Sequence, residues 1–143
     1  MISYSEATRI TEAKRLEAEA WCRTNSKRLG KHVLYPRTRG FIACVQKLRK
    51  APHVKAVYDL TIAYGREKDR AFQQPPSFVQ SLMLPNLSKE WRFHVHVDRF
   101  AIEDLPDSDE ELANWLEDRW VQKGERLELL RQRLSQGLRW QSP

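Results

Sequence analysis

The chain has 143 residues, enough for one domain or part of one, and its 41% hydrophobic residues can fill a core. Five Trp, four Tyr and five Phe argue against a disordered chain. No run of about 18 apolar residues occurs, so no transmembrane helix is expected, and the N-terminus lacks the basic and apolar regions of a signal peptide.

Residues 11–29 read as a basic helix. Ala13, Leu16 and Ala20 form its narrow apolar stripe, Thr11 suits the N-cap, Glu12 the first turn and Gly30 the C-terminal cap. Residues 32–36, an apolar run ending at Pro36, read as a short buried strand. A second helix is expected over 41–49, with Thr38 as cap and Ala51-Pro52 as stop. Residues 54–64 give the clearest strand, with Ala56, Tyr58, Leu60 and Ile62 alternating with Val57, Asp59 and Thr61. Residues 65–88 read as a long polar loop whose Phe78, Val79, Leu82 and Met83 either pack locally or touch a membrane surface. Residues 91–97 read as a strand with Trp91, Phe93, Val95 and Val97 on one face and Arg92, His94 and His96 on the other. Ser108-Asp-Glu-Glu111 is a capping box that opens a final helix, which continues past Gly124 to Leu134. The alternation of elements favours an α/β fold, a mixed sheet flanked by helices with some parallel pairing.

Net charge is +6, spread unevenly. Residues 9–50 hold 12 Lys/Arg against 3 Asp/Glu, while residues 98–128 hold 11 acidic against 4 basic residues. The basic half suits phosphate of some kind, whether lipid head group, coenzyme A or nucleic acid. A nucleic-acid partner is disfavoured, because the aromatic residues are spaced as core and the acidic half would repel phosphate. The acidic helix is expected to pack on the basic helices. Cys22 and Cys44 form neither a disulfide framework nor a zinc site and read as buried free thiols. His94, His96 and Asp98 have metal-site spacing on one strand face, yet no further histidine follows, so they read as the polar face of the strand and no metal is expected. A phosphate-binding loop and a Gly-x-Ser-x-Gly elbow are both absent.

Four segments, in order, resemble one family. Tyr4-Ser-Glu-Ala-Thr-Arg9 is similar to the Phe-Pro-Glu-Gly-Thr-Arg motif of lysophosphatidic acid acyltransferases. Leu34-Tyr-Pro-Arg-Thr-Arg-Gly-Phe41, Ala56-Val-Tyr-Asp-Leu-Thr61 and the stretch from His94 to Pro106 resemble the 1-acylglycerol-3-phosphate and lysocardiolipin acyltransferase branch. The resemblance implies residues 1–52 as the C-terminal part of the catalytic domain, 53–135 as the acyltransferase C-terminal region and 136–143 as a tail. It implies acyl transfer from acyl-CoA, a co-substrate with no further cofactor, to a lysophospholipid hydroxyl. Glu6, Thr8 and Arg9 would hold the acceptor phosphate, with Glu6 orienting Arg9 through a salt bridge. Pro36 and Arg37 would shape the acyl-CoA or acceptor pocket.

The family's catalytic pair lies in a His-four-residues-Asp motif. None of His32, His53, His94 and His96 is followed by Asp five positions on, so the catalytic residues are expected outside this chain. A larger enzyme at the endoplasmic reticulum or a related membrane is implied, held there by parts outside this sequence. The alternative is a non-catalytic remnant that binds lipid or coenzyme A. Ala7 stands where the family has glycine, which costs stability if the backbone there needs a positive φ.

Overall fold

A computed structural model of the protein describes residues 2–83 and 86–137, so Leu84, Pro85 and most of the 136–143 tail lie outside it. Helix α1 spans Glu12–Thr24, and the Thr11 side chain accepts from the Lys14 N–H as its N-cap. It stops earlier than the sequence suggests. Thr24 and Asn25 side chains donate to the carbonyls of Ala20 and Trp21 at 3.0 and 2.8 Å, closing the helix before Gly30. Helix α2 spans Thr38–Leu48, with Thr38 inside the helix and Arg37 at the cap position.

Strands β1 (Ala56–Arg66), β2 (Ala71–Phe72) and β3 (Trp91–Ala101) form one sheet in the order β2-β1-β3. Both pairings are antiparallel, with Leu60 opposite Val97 and Ile62 opposite Val95. The α/β class stands, but the expected parallel pairing does not occur among the described residues. Its reason is local. Within residues 32–36, Val33 and Leu34 (each 5% exposed) and Pro36 are buried as expected, and His32 and Tyr35 are half-buried, but the segment makes no strand. Their backbone donors are taken elsewhere: Leu34 N–H by the Glu6 carboxylate and Arg37 N–H by the Ser5 carbonyl. Without that strand, no helix connects two parallel neighbours.

The 65–88 region is more structured than a loop. It contains β2, a short helix α3 (Phe78–Met83) and a single 3-10 turn before β3. Helix α4 runs unbroken from Asp109–Ser135, opened by Ser108, whose hydroxyl accepts from Glu111 N–H and donates to the Glu111 carboxylate.

Two apolar clusters hold these elements together. Phe41 and Val45 of α2 meet Ile102, Leu105, Leu112 and Leu116; Val33 and Ala63 meet Leu127 and Leu130. Trp120 packs against both. The acidic helix α4 does pack on the basic half, through Lys27–Glu117 at 3.0 Å and an Arg28–Asp118 pair.

The sheet's two faces are used in an unusual sense. Its polar face, with Asp59, Thr61, His96 and Asp98, lies inward. Lys123 of α4 is 6% exposed and donates to the Asp59 carboxylate and, at 2.7 Å, to the Leu60 carbonyl. Arg126 reaches Asp98 at 3.4 Å. The apolar face is bare: Tyr58, Leu60, Ile62, Phe93, Val95 and Val97 are each about half exposed.

Candidate functional site

The Tyr4–Arg9 segment is a tight turn, closed by Ala7 N–H donating to the Tyr4 carbonyl at 3.0 Å. Ala7 has φ +56°, the left-handed region that favours glycine. The turn therefore keeps the backbone that a glycine would adopt without strain.

This turn docks against the 33–37 segment. Ser5 is buried and its carbonyl accepts from Arg37 N–H at 2.8 Å. The Glu6 oxygen Oε1 accepts from Leu34 N–H and from the Trp120 indole N–H, each at 3.1 Å. Glu6 thus ties three parts of the chain together: the turn, the 33–37 segment and α4. It does not pair with Arg9, because its carboxylate faces inward. Burial pushes the Glu6 carboxyl up from its ordinary value, and the two hydrogen bonds and the nearby Lys123 charge only partly offset this. Burial and then the Glu6 charge raise the Tyr64 phenol as well.

The other sequence-selected residues divide cleanly. Pro36 is buried. It follows Tyr35, whose ring lies 4.8 Å from that of Trp21 and whose hydroxyl donates to Glu117. Burial, then this contact with Glu117, raises the Tyr35 phenol. Thr8, Arg9, Arg37 and Arg39 are exposed. The Arg37 backbone joins the turn directly, through its N–H to the Ser5 carbonyl. Among the described residues, Arg9 and Arg37 enter no hydrogen bond or ion pair through their side chains, unlike Lys27, Arg28 and Arg49, which are engaged. Arg9 on the turn and Arg37 on the segment docked to it each present an exposed guanidinium, a forked donor of the kind a phosphate accepts.

Trp120 is the site residue that the sequence reading left unassigned. In the sequence it is one of two aromatics on the final helix, with nothing to mark it as part of the site. Its indole N–H is what meets the Glu6 carboxylate, while the Lys123 ammonium lies 5.0 Å from its ring centroid.

His94, His96 and Asp98 share a face, as expected, and His96 Nε2 lies 2.9 Å from Asp98. Burial and the neighbouring His96 hold His94 below the ordinary imidazole range. Among the described residues, no group of three or more His, Cys, Asp or Glu side chains is placed to hold a metal ion.

Residues 86–133 match the family model described as acyltransferase C-terminus. The chain is 35% identical over 127 residues to lysocardiolipin acyltransferase 1 of Gallus gallus, covering 89% of this chain and 31% of that protein. It is 34% identical over 125 residues to 1-acyl-sn-glycerol-3-phosphate acyltransferase 2 of Brassica oleracea, covering 84% of this chain and 28% of that protein. It is 32% identical over 126 residues to lysophosphatidylinositol acyltransferase 10 of Caenorhabditis elegans, covering 86% of this chain and 29% of that protein. The chain therefore spans just under a third of the length of these curated relatives. No solved structure matches it.

Proposed function

This chain is related over most of its length to the lysocardiolipin and 1-acyl-sn-glycerol-3-phosphate acyltransferases, and on that premise we propose that it supplies the acceptor-phosphate corner of a larger, acyl-CoA-dependent lysophospholipid acyltransferase. The observation that carries the reading is the docking of the Tyr4–Arg9 turn onto the 33–37 segment. It supports the reading because Arg37 N–H bonds to the turn at Ser5, and Thr8, Arg9 and Arg37 are all exposed, while Glu6 is spent on holding the turn. Arg9 and Arg37 bind the acceptor phosphate, Thr8 donates its hydroxyl, and buried Pro36 fixes the exit of the chain into α2. Glu6 is a positioning residue.

The chemistry follows from the resemblance. A general base takes the proton of the acceptor hydroxyl, whose oxygen attacks the thioester carbonyl carbon; the tetrahedral intermediate collapses, the C–S bond breaks, and coenzyme A leaves as its thiol after accepting a proton. No histidine of this chain has the spacing of the family's base, so the base belongs to another part of the enzyme. The bare apolar sheet face agrees with such an incomplete assembly, since six large apolar side chains on two paired strands await a covering layer.

The test replaces the matching segment of a lysocardiolipin acyltransferase with this chain and measures acyl transfer from labelled acyl-CoA to lysophospholipid. Transfer by the hybrid, and none by the 143-residue chain alone, is the expected result. A hybrid that folds, takes its place in the membrane and transfers nothing would favour the alternative, a lipid- or coenzyme A-binding module without catalysis.

A further inference from the structure

Residues 71–88 contain no Asp, Glu, Lys or Arg, an 18-residue charge-free run in a chain that is 31% charged. Helix α3 lies within it. Ser77 and Gln80 cap it reciprocally: Ser77 N–H donates to the Gln80 side chain at 2.8 Å, and Gln80 N–H to the Ser77 hydroxyl at 3.1 Å. The sequence therefore specifies this short helix locally, yet none of its residues is buried. Phe78, Val79, Leu82 and Met83 are exposed by 79, 63, 68 and 77%. These are the largest exposures of apolar side chains in the described structure after Ile2 and Tyr4, and they are adjacent on one helix.

The flanks carry the opposite chemistry. The run leaves and re-enters the sheet at one end, where Glu67 N–H donates to the Glu90 carbonyl and Arg66 pairs in register with Trp91. Around that end stand Arg66, Lys68, Arg70, Lys89 and Arg92 against Glu67, Asp69 and Glu90. The acidic members are largely committed: Asp69 to Arg66, and Glu67 to Arg92 at 3.0 Å. Lys68 and Lys89 are exposed and, among the described residues, enter no ion pair. An apolar segment without any charge to desolvate, with exposed lysines at the sheet end that it leaves and re-enters, fits a bilayer interface with anionic head groups. The apolar side chains enter the acyl boundary, and the ammonium groups stay at phosphate level.

We propose that α3, with Lys68 and Lys89, is a lipid-surface anchor. It sets the chain against the membrane independently of any catalytic step, so it does not depend on the acyl-transfer reading. A single six-residue tip gives weak, reversible adsorption rather than stable insertion. No helix among the described residues is long and apolar enough to cross a membrane.

The experiment is sedimentation of the 143-residue chain with phosphatidylcholine vesicles, with and without phosphatidylserine. The wild type is expected to bind the phosphatidylserine vesicles and to bind them less as salt rises. The double variant Phe78→Asp, Leu82→Asp is expected to lose at least about tenfold in binding with unchanged circular dichroism, because neither side chain packs on the fold. Lys68→Ser with Lys89→Ser should remove the preference for phosphatidylserine. A control, Leu60→Thr with Val97→Thr, changes the bare sheet face and should bind as the wild type does. The proposal is overturned if the wild type ignores both vesicles, if the α3 variant binds undiminished, or if only the sheet-face control loses binding.

Discussion

Ala7 and Glu6 set the shape of the candidate site at the level of single residues. A left-handed alanine is strained by about 1–2 kcal/mol relative to the right-handed region, and glycine relieves that at the cost of chain entropy. Ala7→Gly is therefore expected to be neutral or to stabilise by up to about 1 kcal/mol in denaturant unfolding, whereas Ala7→Val destabilises by more than about 1 kcal/mol. Glu6 makes a second, pH-dependent prediction. Its folded-state pKa is raised, so the folded protein holds this proton more tightly than the unfolded chain. The associated stability is present below the ordinary value of 4.5 and is lost as pH rises through the higher folded value. Glu6→Gln keeps a carbonyl acceptor for Leu34 and Trp120 and should flatten that fall in thermal unfolding measured against pH. Glu6→Ala leaves two donors unmatched and should cost about 1–3 kcal/mol at all pH values. The resemblance to the family motif is what singles these residues out as a candidate site. The inward direction of Glu6 was not legible, because its partners lie 28 and 114 positions away along the chain.

Between elements, the contact of α4 with the sheet and with the 30–31 backbone decides the architecture. Lys123 is nearly buried against Asp59, and truncating one partner of such a pair strands the other. Lys123→Ala is expected to cost about 3–5 kcal/mol, and Lys123→Met with Asp59→Asn much less; chemical denaturation of the two variants checks both. Gly124 sits inside α4, where alanine would ordinarily help by about 1 kcal/mol. Here a Cβ would meet Lys31 N at 2.5 Å and Gly30 Cα at 2.8 Å, both backbone atoms that cannot yield cheaply. Gly124→Ala should therefore destabilise, by about 1–3 kcal/mol, as read by the shift in Tm. Period-two alternation located β1 and β3, and the Ser108 capping box located the start of α4. Alternation does not say which face is covered. Nothing in the sequence singles out Lys123 and Arg126, and only their docking on Asp59 and Asp98 shows that the polar face turns inward. Residues 32–36 misled for a related reason: a buried apolar run before proline has the same pattern whether its backbone meets a strand or a side chain.

At the scale of the whole molecule, a sheet covered by α4 on its polar face and open on its apolar face fits a piece of a larger assembly. In the function proposed above, exposed Arg9 and Arg37 are what this chain would supply to that assembly. We propose that Arg9 recognises the acceptor phosphate while Glu6 only holds the turn. This is tested by kcat/KM for lysophosphatidic acid in the hybrid acyltransferase carrying this chain, compared with the same hybrid bearing Arg9→Ala or Glu6→Gln. Loss of a charge-assisted contact predicts a fall of roughly tenfold or more for Arg9→Ala, carried by KM, and less than about threefold for Glu6→Gln. An Arg9→Ala hybrid with unchanged kcat/KM would contradict the account.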